Sequence, residues 1–187
     1  LILACGGKTY SSLGGSDSGY LLAKNCGHTI VSPVPALCEI PLKENWIKSC
    51  AGISFSNIKL SIIKNSGKMD GFMQGPAVLT HLGISGPVAL DISGRISRLL
   101  YEHEKINIKF DPIPDIHSDY LIHVLNDAGA NQNKTLTGIF SGFLPKSFLL
   151  KLFSKNGYDP IARLSNLKKN DKEDIITIIK NIFLTPE

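Results

Sequence analysis

The sequence predicts an α+β chain in three successive textures. Residues 1–35 read as strand, glycine turn, short helix and strand, which is α/β in character. From Ala36 to Phe110, short alternating segments and turn signals dominate, the pattern of a small antiparallel barrel or sandwich. From Asp111 to Glu187, apolar residues recur at helical spacing instead. The expected organisation is therefore 1–35, 36–110 and 111–187.

Each element has its own signal. The apolar run Leu1 to Cys5, bounded by Gly6 and Gly7, predicts a buried strand. Ser16 or Asp17 can cap a helix over Gly19 to Asn25 that stops at Gly27. His28 to Val31 predicts a second strand, ended by Pro33 and Pro35. In the middle region Ile58, Leu60 and Ile62 alternate with Lys59 and Ser61, giving one buried face. Asn65-Ser66-Gly67 predicts a hairpin turn, and Met69 to Leu79 an extended segment broken at Gly71 and Gly75. Pro87 suits a first helical turn. Beyond it Leu90 (or Ala89), Ile92, Ile96, Leu99 and Leu100 fall on one face. Ile106, Ile108 and Phe110 alternate in a further strand.

The last third is helical. Asp119 to Ala128 carries Leu121, Ile122 and Leu125, and Lys134 to Phe143 is a weaker helix or turn. Pro145 opens a helix with Phe148, Leu149, Leu152 and Phe153, ended at Asn156-Gly157. Asn170 is expected to cap the final helix with Glu173 in the capping-box position. Ile175, Ile178, Ile179 and Ile182 would form its stripe, and Pro186 would close it.

Composition narrows the function classes. The chain has 187 residues, 43% hydrophobic and 19% charged, enough for a sizeable core and unlike a disordered chain. Its apolar runs reach about five residues, against the roughly 20 of a membrane-spanning helix, and no signal peptide is legible. A soluble, cytoplasmic protein with no membrane partner is expected. The net charge is +4, with basic residues scattered apart from Lys168, Lys169 and Lys172 and no aromatics interleaved among them. That pattern argues against a nucleic-acid partner. Cys5, Cys26, Cys38 and Cys50 form no C-x2-C pair, and His103, His117 and His123 show no ligand spacing, so no metal site is expected.

Gly7-Lys8-Thr9 matches the end of the phosphate-loop pattern G-x-x-x-x-G-K-[ST]. The first glycine of that pattern would fall at Ile2, and the run leads straight into Gly6 with no wide turn of N–H groups before Lys8. That reading fails. A glycine pair at a strand end also lets a backbone approach a bulky ligand at the carboxyl end of a sheet, or makes a tight turn with nothing bound.

"LACGG" (Leu3 to Gly7) followed by "SDSGYLLAKNCGHTI" (Ser16 to Ile30) resembles a flavin-binding pattern of two-domain flavoproteins. "PALCEI" (Pro35 to Ile40), "AGISFSNIKLSI" (Ala51 to Ile62), "LTHLGISGPVAL" (Leu79 to Leu90), "FDPIP" (Phe110 to Pro114) and "NKTL…LP" (Asn133 to Pro145) follow in order. Together they are similar to the BaiN-type family of FAD-dependent oxidoreductases, which includes aminoacetone oxidase-like proteins. Thr80 to Pro87 carries the most specific element.

The resemblance implies a Rossmann-like FAD domain interrupted by an insert, itself a translation-factor-like β-barrel and a helical cluster. The chain would then be a middle section: a remnant of the FAD domain at 1–35, the barrel at 36–110 and the helices at 111–187. It lacks the G-x-G-x-x-G fingerprint, and Cys5 stands where the family pattern has Thr. It would be inactive alone, with the rest of the same polypeptide's FAD domain as its partner. The intact protein would carry FAD, as an amine oxidase or NAD(P)H-linked reductase acting on a small-molecule substrate, and homo-oligomerisation is left open. Ala4, Gly6, Gly7, Tyr10, Gly14 and Gly19 would border the cofactor, and His81 is a candidate for proton transfer. On the residues alone, Ser85 would cap the following helix while His81 helps shape its turn. Asp91 and Arg95 would be a helix-surface pair. The alternative is a barrel-plus-helices module that binds a protein or nucleic acid.

Overall fold

Alternating apolar residues build the centre of the fold in the computed structural model, which describes residues 1–129, 134–163 and 169–187. The chain divides into two units, Leu1–Pro33 and Val34–Glu187. In the second, β1 (Ile40–Pro41), β2 (Ser54–Lys64), β3 (Met69–Leu79), β4 (Gly83–Ser85), β5 (Ile106–Asp111) and β6 (Ile182–Leu184) form one antiparallel sheet. Its order is β1-β4-β3-β2-β5-β6. The two outermost segments then meet. Leu42 bridges Pro186, the Lys43 N–H donates to the Thr185 carbonyl at 3.0 Å, and the Glu187 N–H donates to the Pro41 carbonyl at 3.0 Å. The curled sheet is thereby drawn towards a barrel, and its edges pair with each other instead of standing open.

The pairing register separates two faces. Leu60 lies opposite Phe110, and Ile62 opposite Ile108, all four fully buried on the inner face. Helix α3 (Pro87–Tyr101) lies on that face over β3, burying Val88, Ala89, Ile92, Ile96 and Leu99. Gly71 and Gly75 sit beneath it: a Cβ at Gly71 would reach to 3.7 Å from Arg95 Nε. β3 runs as one strand through both glycines. Its register against β2 shifts beside each of them, between Phe55 and Ile58 next to Gly75 and between Ile62 and Ile63 next to Gly71. The breaks that the sequence predicts thus take the form of local irregularities in the ladder. The turn at Asn65-Ser66-Gly67 forms as expected, with the Gly67 N–H donating to the Lys64 carbonyl at 2.8 Å and Gly67 at φ 80°.

The remaining helices are α2 (Asn45–Lys48), α4 (Ser118–Gly129), α5 (Leu136–Phe140), α6 (Lys146–Lys155) and α7 (Lys169–Lys180). Their stripes, including Leu121, Leu125, Phe148, Leu149, Leu152, Phe153, Ile175 and Ile179, join the inner face in one continuous core. Strand and helix regions thus share a single interior, and the fold is α+β with an antiparallel barrel-like sheet and a helical cluster.

Several local expectations are corrected. Ile182 belongs to β6 and not to the stripe of α7, and Pro186 pairs with Leu42 where it was expected to close a helix. α7 is described from Lys169, so Asn170 lies inside it and not ahead of it; Lys168 and Asn133 fall outside the described residues. Arg95 turns away from Asp91 and donates from Nε to Asp70 Oδ2 at 2.5 Å. That hydrogen bond holds the Asp70 carboxyl below its usual pKa, with the charges of Arg95 and Lys64 adding to it.

In the first unit, α1 (Ser18–Asn25) forms where a helix is predicted, and Gly27 at φ 86° follows it. Leu1–Cys5 and His28–Val31 are not strands. A strand needs a neighbour for its N–H and C=O groups, and among the described residues neither segment has a ladder partner. Leu1 and Ile2 are fully exposed, and no residue of the unit is buried.

Candidate functional site

The residues read as bordering a cofactor all lie in Leu1–Pro33, whereas the proton-transfer candidate His81 does not. Gly6 at φ 72°, Tyr10 at φ 51° and Gly14 at φ 91° are left-handed turns. They fold the loop back so that the Tyr10 carbonyl accepts from the N–H groups of Leu13 at 2.8 Å and Gly15 at 3.3 Å. Gly15 is the tightest point, since a Cβ there would lie 1.6 Å from the Thr9 carbonyl oxygen. The loop leans on α1: a Cβ at Gly19 would be 3.2 Å from Cys5 Cβ, and one at Gly7 3.8 Å from the Tyr20 hydroxyl. The structure therefore brings Cys5, Gly7 and Gly19 together. Ala4 is exposed on the extended segment before them, and the Tyr10 ring points to solvent.

Beside this loop lies an open cleft of about 570 Å³ lined by Lys8, Asp17, Tyr20, Lys24 and His28. Lys8 sits 3.9 Å from Asp17. Sequence reasoning dismissed Lys8 with the phosphate loop and did not single out Tyr20 or Lys24. The helical spacing of Asp17, Tyr20 and Lys24 was the available signal, because it puts them on one face of α1. Two ammonium groups beside a glycine turn, Lys24 and the Lys8 that lies near Asp17, are cations of the kind that meet a phosphate.

His81 belongs to the second unit, on the turn between β3 and β4. Thr80 shapes that turn: its Oγ1 accepts from the N–H groups of Leu82 at 3.2 Å and Gly83 at 3.0 Å, and donates to Glu39 Oε2 at 3.1 Å. The His81 ring is exposed. Ser85 does not cap α3, because it lies in β4 opposite Val78 and Gly86 occupies the cap at φ 95° and ψ 174°. Such a conformation is essentially confined to glycine. The motif Thr80 to Pro87 is therefore a compact strand–turn–strand–helix junction, with His81 as its exposed tip.

The thiols differ in accessibility. Cys5 and Cys26 are exposed, Cys38 is half-buried, and Cys50 is buried with its thiol pushed up by desolvation, which disfavours the reactive thiolate. A thiol-exchange reagent is expected to label Cys5 and Cys26 first, Cys38 later and Cys50 only after denaturation. Prompt labelling of all four would contradict the packing around Cys50. Among the described residues no cluster of His, Cys, Asp or Glu could hold a metal ion, and no helix is long and apolar enough to cross a membrane.

Register also assembles a row that the linear sequence hides. On the outer face Phe72, Ser61, Lys109 and Phe183 lie side by side across β3, β2, β5 and β6. The two phenylalanines are each 53% exposed.

Residues 34–187 match the family model described as the HI0933-like protein barrel and H2TH domain. The full length of the chain is similar to the 3-dehydro-bile acid delta(4,6)-reductase of Clostridium scindens, 31% identical and covering 46% of that protein. It is also similar to the ribosomal RNA dihydrouridine synthases of Haemophilus influenzae, at 26% identity over 43% of that protein, and Escherichia coli, at 24% over 44%. The chain spans about half the length of these curated relatives.

Proposed function

The chain belongs to the family of HI0933-like barrel and H2TH domains, and on that premise we propose that it is part of an FAD-dependent reductase. The family model covers the barrel and helices, and Leu1–Pro33 supplies one wall of the cofactor site. The observation that carries the reading is that the relatives are named for one kind of reaction. A delta(4,6)-reductase and a dihydrouridine synthase both reduce a carbon–carbon double bond conjugated with a carbonyl. The reductase alternative, with NAD(P)H as donor, is thereby favoured over amine oxidation.

The flavin, when bound, supplies the two-electron chemistry of such a reduction. Their placement supports the following roles for this chain's residues. Gly6 and Gly14, where nothing lies within 4 Å of a Cβ, would leave room for the cofactor, and Ala4, Gly7, Tyr10 and Gly19 would border it. Lys8 and Lys24 offset phosphate charge. The absence of buried residues in Leu1–Pro33 fits a segment that completes its core against the rest of an FAD domain. His81, exposed at a turn held by Thr80, would hold or deliver a proton on the barrel.

Full-length protein containing this chain is expected to purify yellow, with FAD released on heating, and to lose its colour under anaerobic NADH or NADPH. The 187-residue chain alone is expected to be colourless. A full-length protein without flavin absorbance, even after incubation with FAD, would overturn the reading.

A further inference from the structure

We propose that a cleft between the helices and the last strand binds a small aromatic carboxylate. The cleft holds about 340 Å³ and is built where α2, α6, α7 and β6 meet. That volume is near the lower end of the roughly 300–1,000 Å³ of ligand pockets, room for a ring with a short side chain. Leu152, Ile178, Ile182 and Phe183 supply apolar walls, with the Trp46 indole beside them. Phe183 is half exposed, so part of this apolar surface faces solvent. Contact with Phe148, at 5.9 Å between centroids, holds the indole in place. Two aromatic walls favour a flat ring, which can stack or meet them edge to face.

The polar groups select an anion. Among the described residues Lys155 is the only charged group in the lining, and it has no ion-pair partner. Its ammonium instead lies 5.4 Å from the centroid of the Trp46 ring. The Trp46 Nε1–H is buried with no hydrogen-bond partner among the described residues. An unpaired buried donor costs free energy that an incoming acceptor recovers. The donor is covered by its neighbours, so an acceptor reaches it only when a side chain shifts. Lys155 lies over the same indole, is exposed and has a long flexible stem, so it can swing aside and follow the anion. A carboxylate then offers one oxygen to the indole N–H and the other to the ammonium. The Asn156 amide does not compete, because it already donates to the Leu152 carbonyl at 2.8 Å.

Sequence reading missed the site because Trp46, Lys155 and Phe183 are far apart along the chain and meet only once the helices pack on the sheet. The inference goes beyond the reductase reading, and its readout needs no cofactor, so either can fail alone.

The test follows the emission of Trp46, the chain's single tryptophan, as the 187-residue chain is titrated with phenylacetate. Excitation at the red edge of the indole band leaves the phenyl ring dark. A saturable change is expected at millimolar concentrations, as befits so small a ligand. Lys155→Ala is expected to weaken binding about tenfold, the loss of one charge-assisted hydrogen bond. Lys155→Arg keeps the charge and should bind nearly as the parent chain does. Trp46→Phe keeps a ring and removes the N–H; followed by broadening of the ligand's own NMR lines, it should also bind about tenfold more weakly. Phenylacetamide lacks the charge, and cholate carries its carboxylate on a steroid without a flat ring; each should bind much more weakly than phenylacetate. Tyr120→Ala, at an exposed ring on α4, should change nothing. Circular dichroism of each variant separates lost binding from lost fold. The proposal is overturned if Trp46 emission does not respond, or responds without saturating as to a collisional quencher. It is equally overturned if Lys155→Ala and Trp46→Phe both bind like the parent chain, or if phenylacetamide or cholate binds as tightly as phenylacetate.

Discussion

Replacing Phe148 by Ala is expected to lower the free energy of unfolding by about 4 kcal/mol, within the range for deleting a buried aromatic ring. Phe148 is fully buried on α6 and meets rings from the barrel. Its centroid lies 5.3 Å from that of Phe55 at 81°, and 6.2 Å from that of Phe110 at 80°. Trp46 of α2 completes the cluster at 5.9 Å. Edge-to-face pairs add about 0.5–1.5 kcal/mol beyond area burial, so the loss exceeds that of an ordinary core residue. Because these rings join helices to strands, the variant should still unfold in one transition, at lower urea concentration and with the same slope. A loss under about 1 kcal/mol would mean that the cavity collapses freely. Two separate transitions would show that strand and helix regions are independent, against the shared core.

How much of this was legible depended on whether the signal was local. The stripes of α3, α4 and α6 and the alternation in β2 and β5 were readable, because each periodicity is written into consecutive residues. So was the turn at Gly67. β6 was not: Ile182-Phe183-Leu184 is three residues long and continues an apolar helical stripe, and only pairing with β5 makes it a strand. β1 and the contact of Leu42 with Pro186 are equally non-local. In the opposite direction, Leu1–Cys5 has the composition of a strand but, among the described residues, no partner with which to form one. The glycine turn at Gly6 to Gly14 was legible as a candidate site, whereas the Lys8–Tyr20–Lys24 cleft depended on how the loop folds against α1. The outer row of Phe72, Lys109 and Phe183 was invisible without register.

The same dependence on non-local contact makes Gly83→Ala the second damaging substitution, at about 3 kcal/mol for overpacking against fixed backbone. Gly83 pairs with Pro41 in one of the two shortest links of the sheet. A Cβ there would lie 2.1 Å from the Ile40 carbonyl oxygen and 3.0 Å from the Leu42 nitrogen, neither of which can rotate away as a side chain could. The strain must be relieved by moving β1. That movement stretches the bond from the Leu42 N–H to the Leu82 carbonyl, now 3.0 Å, and with it the junction to Thr185 and Glu187. Hydrogen exchange should accordingly accelerate at Leu42, Lys43 and Glu187 well before the central ladder of β2 with β5. Gly142→Ala is the matched control, since nothing lies within 4 Å of a Cβ at that site, and its effect should stay within about 0.5 kcal/mol. If both glycine variants melt alike, the close approach of β1 to β4 does not hold the barrel closed. If exchange quickens uniformly instead, the junction opens only with the whole fold, and closure is then a consequence of the core beneath it.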